Sequence, residues 1–421
     1  MYLKTLKALL LGLCIAAVAV VSWAPNSAAA GGNLDQQVQE LITQNRALTD
    51  RLTEVEQQLR EMKAAPEEEA VFLERAGATG FLSELEKRIT INGLLEFGVA
   101  YHSTDMNDGD YKQDSDLSMT TVQLGIAAEI NDWVNAEMVL LYEDPSGAIE
   151  AYDDIRGETD FDVDEAFITI ANPDVTPAFL KAGKMYVPFG ALLTHFPDDP
   201  GIDSPLTLLL GETNEKALLI GAELEGFTVS AYAFSGDVDE RGDSDNYIET
   251  YGFDANYAFE DECQDLDLLV GGSYISNIAD SDWSEEVLDH YDLEIDDYAG
   301  GAAAYLHVGY QGFFVDGEYM AAVGHIDLEG YGDKGKPTVW NIEAGYNYNW
   351  WRNLEIAFQY AGSDDCGFLR LPRSRYGINF NQEVFDNTVV SVGYLYDEYE
   401  ADDGLDRNTR DLVFGQLAIE F

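Results

Sequence analysis

Lys184, Arg373 and Arg375 are three of only 23 Lys and Arg residues in a chain of 421 that carries 79 Asp and Glu. Arg373 and Arg375 are two apart, so on an extended strand both guanidiniums leave the same face. Paired guanidiniums hold a carboxylate or phosphate bidentately, and a lysine adds a compact point charge. Against them stand Glu96, Glu129, Glu137, Glu165, Asp254, Asp316, Glu318 and Glu343, each on the polar face of an alternating segment. A basic set facing an acidic set makes a transverse field that orients polar solutes. The same charges would also suffice to brace a wall, and the residue types leave both readings open.

Other chemistries find little support. The five histidines stand in no nucleophile context with Ser or Cys, and no HExxH, P-loop or GxSxG pattern occurs. No enzyme, cofactor or metal centre is expected. The acidic runs Asp289–Asp297 and Asp397–Asp406 lack the spacing and turn glycine of a calcium loop. They read as solvated external charge, with bridging by Ca²⁺ or Mg²⁺ to lipopolysaccharide left open. A formal net charge of −56 makes nucleic acid and anionic lipid surfaces poor partners.

The elements that must position these side chains are strands. Val413, Gly415, Leu417, Ile419 and Phe421 alternate with Gln416, Ala418 and Glu420. Similar dyads run back to about residue 88, and their polar faces carry Asn, Gln, Glu, Gly and Ser. That is the pattern of a transmembrane β-barrel with one face in lipid and one in a wet lumen. The fold expected is all-β, with about 16 antiparallel strands starting near residues 88, 117, 133, 163, 178, 215, 226, 247, 264, 297, 312, 338, 353, 372, 387 and 411. Short turns such as Glu225-Gly226 and Gln311-Gly312 alternate with long connections, among them 102–116, 187–214, 277–296 and 362–371. This topology puts Cys263 and Cys366 at opposite ends, so no disulfide between them is expected.

A barrel of this size leaves an aqueous channel that strand side chains cannot fill. Residues 187–214 are the longest connection and an apolar one, with Pro188-Phe189-Gly190, then His195-Phe196-Pro197, then Leu206–Leu210. The expectation is a segment folded into the lumen as a constriction carrying Pro188, Phe189, Gly190, His195 and Phe196. A cap over a neighbouring subunit is the alternative.

Four stretches follow. Residues 1–30 read as a secretory signal peptide, with Lys4 and Lys7 before an apolar run and Ala28-Ala29-Ala30 at its end. Residues 31–65 carry a heptad seam from Leu34 to Met62, with Asn45 at an a position. That seam reads as an oligomerising coiled coil in the periplasm, dimer or trimer, or as one helix packed on the barrel mouth. Residues 66–87 form a linker, and 88–421 the barrel.

Asp162–Pro173, Ala182–Gly190, Ser204–Leu208 and Gly211-Glu212-Thr213 resemble the LbtU-type siderophore porin family, with similar stretches at Ile278–Ser281 and Leu371–Tyr376. The Gly183–Gly190 stretch is also similar to the strand before the constriction loop of phosphate-selective porins. The resemblance implies an outer-membrane barrel in a Gram-negative bacterium that passes iron-loaded siderophore. Residues 88–421 are too few for the roughly 22 strands of a plugged, energy-coupled receptor, so passage would be passive. Two other functions fit the sequence: a general cation-favouring porin, and an envelope tether anchored by the barrel. A helix of the coiled coil's length spans only about 45 Å, at about 1.5 Å per residue, which is short for a tether.

Overall fold

The structure is a computed structural model describing residues 88–143, 161–193, 205–238, 240, 247–261, 263–291, 293–327, 334–349, 352–400 and 407–421. The signal segment, the coiled coil and the linker lie outside the described residues, as do His195 and Phe196.

The strands in chain order are β1 (Ile89–Met106), β2 (Tyr111–Asn131), β3 (Val134–Glu143), β4 (Phe161–Ala171), β5 (Ala178–Tyr186), β6 (Asn214–Leu224), β7 (Phe227–Phe234), β8 (Thr250–Asp261) and β9 (Leu266–Ile275). They continue as β10 (Gly301–Tyr310), β11 (Phe313–Ala322), β12 (Ile326–Asp327), β13 (Lys334–Gly335), β14 (Thr338–Tyr348), β15 (Leu354–Asp364), β16 (Ser374–Phe385), β17 (Thr388–Glu398) and β18 (Arg407–Glu420). Among the described residues two α-helices lie between strands, α1 (Leu206–Gly211) and α2 (Asp282–Tyr291). Sixteen strands close into one antiparallel barrel, and β12 pairs with β13 as a separate small hairpin.

The expected period of two decides which face meets lipid. On β18, Val413, Leu417, Ile419 and Phe421 are exposed on the outside, while Phe414, Gln416 and Ala418 are buried inside. Closure is in register, with Leu95 opposite Ile419 and Phe97 opposite Leu417. Phe421 completes it by exchanging two backbone hydrogen bonds with Gly93, at 2.8 and 3.0 Å. The Phe421 ring occupies the space that a Cβ on Gly93 would need.

Paired aromatics mark both edges of the lipid-facing band. Phe227–Tyr257 and Phe313–Tyr346, each with centroids 4.4 Å apart, sit at the short-turn end. Phe253–Tyr274 and Tyr360–Tyr376, at 5.3 and 5.2 Å, sit at the other. These are the girdles expected where amphipathic rings meet headgroups. The short turns fit too. Glu225-Gly226 and Gln311-Gly312 both take positive φ at each central position, the geometry of two-residue hairpins.

Two long connections differ from expectation. Residues 102–116 mostly continue β1 and β2 as paired strands, leaving a turn at 107–110. Their polar side chains sit past the aromatic edge, where water accepts them and the ladder still satisfies the backbone. The connection at 277–296 is not a loose acidic loop either. Asn277 caps a short 3₁₀ turn through Ala279 N at 3.2 Å, and α2 follows. Trp283, Val287 and Leu288, at i, i+4 and i+5, share the buried helix face, and the helix's acids take the other positions.

That face joins one apolar cluster inside the barrel. Val187, Phe189 and Leu210 come from the β5–β6 connection; Ile278, Trp283, Val287 and Ile295 from β9–β10; Phe368, Leu369 and Leu371 from β15–β16. They pack on inward Met185, Tyr232, Phe234, Met320 and Val339. Full burial of each large side chain contributes about 1.5–3 kcal/mol, enough to hold three connections against the wall rather than in water. α1 touches β11, β14 and β15, which lie across the ring from β5 and β6.

Candidate pore interior

The β5–β6 segment is fastened where it leaves β5. Val187 N donates to Thr213 O at 3.0 Å, and Phe189 N turns back to Val187 O at 2.8 Å around Pro188. Gly190 N then donates to Ser273 Oγ of β9 at 2.7 Å. Ala191 N and Leu192 N both donate to Glu318 Oε1 of β11, at 2.7 and 3.2 Å. Phe189 is buried in the apolar cluster. So Pro188, Phe189 and Gly190 stand at the inner wall.

The three basic residues are not brought together. Met185 and Ala217 face inward, so their neighbours Lys184 and Lys216, cross-strand partners of each other, face outward. Lys184 Nζ ends on Asp162 Oδ2 at 3.3 Å and Val163 O at 3.0 Å. The expectation that Lys184 lines the interior fails on parity: β5 runs with its odd-numbered residues inside. The inward lysine of β5 is Lys181, opposite buried Leu219. Its ammonium lies 5.0 Å from the Phe167 ring centre.

Arg373 also departs from the expected role. It precedes β16, its side chain is 65 % exposed, and it donates to Glu400 Oε1 at 3.1 Å. Arg375 alone of the three sits on the inner wall. Its Nε and Nη2 donate to Asp397 Oδ1 and Oδ2 at 2.8 and 3.2 Å. Arg410 approaches the same carboxylate from β18, with Nε and Nη2 at 3.1 and 2.8 Å from Oδ2. All three residues are buried. Two guanidiniums thus converge on one carboxylate. The register that creates the set pairs Asp397 with Arg375 on one side and Arg410 on the other. In the sequence Asp397 belongs to an acidic run that reads as solvated, and Arg410 carries no signal without the pairing.

Most of these acids are buried in the inner wall. Glu96, Asp254, Asp316, Glu318 and Glu343 are buried, and Glu165 is half-buried beside Phe167. Glu129 and Glu137 are exposed on the inner rows of β2 and β3. Asp254 accepts from Tyr305 Oη at 2.5 Å and Asn256 Nδ2 at 2.7 Å. His307 bridges Asp316, at 2.5 Å from Nδ1, and Asp267 at its Nε2. The sequence alone does not mark His307 or Asp267, because the bridge depends on the β9–β10–β11 register. Among the described residues no group of three or more His, Cys, Asp or Glu is placed to hold a metal ion.

A lumen with a polar wall, a lipid-facing exterior and an inturned connection after β5 is the architecture of a diffusion channel. Residues 72–402 match the family model described as Gram-negative porin. The chain belongs to that family. By family and fold it is an outer-membrane porin. A UPF0422 protein of Coxiella burnetii is 25 % identical over 319 residues, covering 74 % of this chain and 64 % of that protein. One from Legionella pneumophila strain Lens is 24 % identical over 308 residues, covering 68 % and 54 %. The porin thus spans less than two thirds of the length of these relatives. The anion-selective porin from Comamonas acidovorans has a similar fold, with a TM-score of 0.52 at 12 % identity, covering 79 % of this chain and 99 % of that one. Pseudomonas putida OprB gives 0.54 at 13 % identity, covering 82 % and 97 %. At such identities the likeness concerns fold alone.

Proposed function

We propose that this porin is substrate-selective and passes small anionic or polar solutes passively, ferric siderophores among them. The observation that carries the reading is the convergence of Arg375 and Arg410 on Asp397 at the inner wall of a strongly acidic chain. Fixed positive charge in a partly desolvated lumen attracts an anionic solute far more than the same charge in bulk water. The β5–β6 segment, fastened across the lumen at Glu318, narrows the path so that solutes pass close to the wall. The LbtU-type resemblance suggests the ferric siderophore.

A second reading, a general cation-favouring porin, is favoured by inward Asp254, Asp316, Glu318 and Glu343. Single-channel recording separates the two. A selective porin gives steady current that loaded siderophore blocks saturably, and Arg375→Ala with Arg410→Ala weakens the block. Cation-favouring reversal potentials with no response to siderophore support the second reading and sink the first.

The coiled coil at 31–65 joins copies in the periplasm, and the acid-rich connection after β17 meets lipopolysaccharide through Ca²⁺ or Mg²⁺. Deleting 31–65 should lower the oligomer mass in detergent, and an unchanged mass would refute the coiled coil's role. Chelation with EDTA should loosen lipopolysaccharide retention, and no effect would remove the cation bridge.

A further inference from the structure

We infer that His307 sets ion selectivity from the inner wall. Clamped as an imidazolium between Asp267 and Asp316, it offsets one wall carboxylate and ceases to do so as pH rises. On β10, buried Tyr305 and Gly309 put the odd-numbered residues inside, so His307 faces the lumen close to the Gln311-Gly312 turn. Its Nδ1 lies 2.5 Å from Asp316 Oδ1, directly across the β10–β11 ladder. Its Nε2 meets Asp267 Oδ2, which comes from β9 on the other side. A neutral imidazole has one N–H and one lone pair, and would aim that lone pair at a carboxylate oxygen. Carboxylates at both ring nitrogens are satisfied only when both nitrogens carry protons.

Gly309 is what lets Asp267 reach the ring. The two residues stand opposite each other, and a Cβ on Gly309 would lie 2.3 Å from Asp267 Oδ1 and 2.5 Å from Oδ2. The two acids differ in exposure: the Asp316 side chain is 3 % exposed and that of Asp267 50 %. Loss of a ring proton turns one of the two contacts into a repulsion between acceptors. Asp267, half in water, is the partner free to leave, and it then stands uncompensated beside the ion path. The other titratable groups around the set are Tyr305 of β10, Asp254 and Glu260 of β8, Glu318 of β11 and Glu343 of β14. Each of these is negative or neutral, so the imidazolium is the positive charge that the set can lose.

The inference holds for either solute reading above, because its test reads only small ions. Zero-current potentials of the refolded porin are taken in a potassium chloride gradient from neutral to alkaline pH. The parent should gain cation preference in one step, by roughly twofold in permeability ratio, the effect of a unit charge about 10 Å from a passing ion in screened water. His307→Gln should hold the parent's alkaline value at every pH and show no step. Gly309→Ala keeps all three ionisable groups but bars Asp267 from the ring, so it should displace the step along the pH axis. That variant decides the matter should His307→Gln fail to refold. A histidine that merely braced three strands would alter stability in both variants without moving the pH profile. A step of parent size in His307→Gln, one left in place by Gly309→Ala, or a parent selectivity independent of pH overturns the inference.

Discussion

The indole Nε1 of Trp283 donates to the carbonyl oxygen of Leu369 at 3.0 Å, joining two connections 86 residues apart inside the barrel. Both partners are buried, so the bond has no water to compete with it. A second tie sits at the start of α2. Asp282 N donates to Glu212 O at 2.9 Å, and Asp282 Oδ1 accepts from Asn214 N at 2.9 Å. The three inturned connections are therefore one mechanical unit.

Trp283→Phe should loosen that unit. It keeps most of the ring area but leaves the Leu369 carbonyl without its indole donor, at a cost of about 1–3 kcal/mol. Chymotrypsin cleavage within 276–300 of the folded barrel should become faster. An unchanged rate would show that packing alone holds the connection.

Acid should tighten the same unit. Burial, then Asp237, Asp282, Glu215 and Asp289, push the Glu285 carboxyl up to about 7. Burial also pushes Asp280 up to about 6, against bonds from Thr250 and Val238. An acid raised above its unfolded value binds protons better when folded, so stability falls as pH rises from about 4 through 7. Protease resistance of the β9–β10 connection should decline over that window, and Glu285→Gln should flatten the profile. A parent profile independent of pH between 5 and 8 would contradict this.

Asp397→Asn should be strongly destabilising. It leaves two buried guanidiniums without a full counter-charge, a loss of about 3–5 kcal/mol when one partner of a buried ion set is removed. The urea midpoint of the refolded barrel should drop. Arg375→Ala, which leaves Asp397 with Arg410, should cost less and shift the reversal potential towards cations.

Lysine parity can be read electrically. Lys181→Ala should alter ion selectivity because Lys181 is on the inner row, while Lys184→Ala, on the outer row, should leave it unchanged. The opposite pattern would mean that the β5 register is wrong.

The two cysteines should differ in reactivity. Cys263 is exposed in the β8–β9 turn and should take up maleimide in the folded state. Burial pushes the Cys366 thiol up to about 12, and its sulfur lies 3.2 Å from Asp364 O and 3.5 Å from Thr338 O. Cys366 should react only on unfolding. Equal labelling of both in the folded barrel would refute the burial.

The sequence by itself determined the barrel, its strand number and most strand positions, because the two-residue period of a sheet is written residue by residue. Val413 to Phe421 display it without any partner. It also marked Pro188–Gly190 as a segment too apolar for water. What only the tertiary structure decided depends on register and on contacts far apart in the chain. Lys184 and Lys181 differ by an odd number of positions, so one face assignment reverses both roles. Arg375, Asp397 and Arg410 meet only because three strands pair at one register. The acids of α2 disguised a buried Trp283–Val287–Leu288 face, since a helix within a connection repeats at 3.6 residues rather than two. Glu318 looked like any inward acid until the chain folded across the lumen and placed two backbone N–H groups against it.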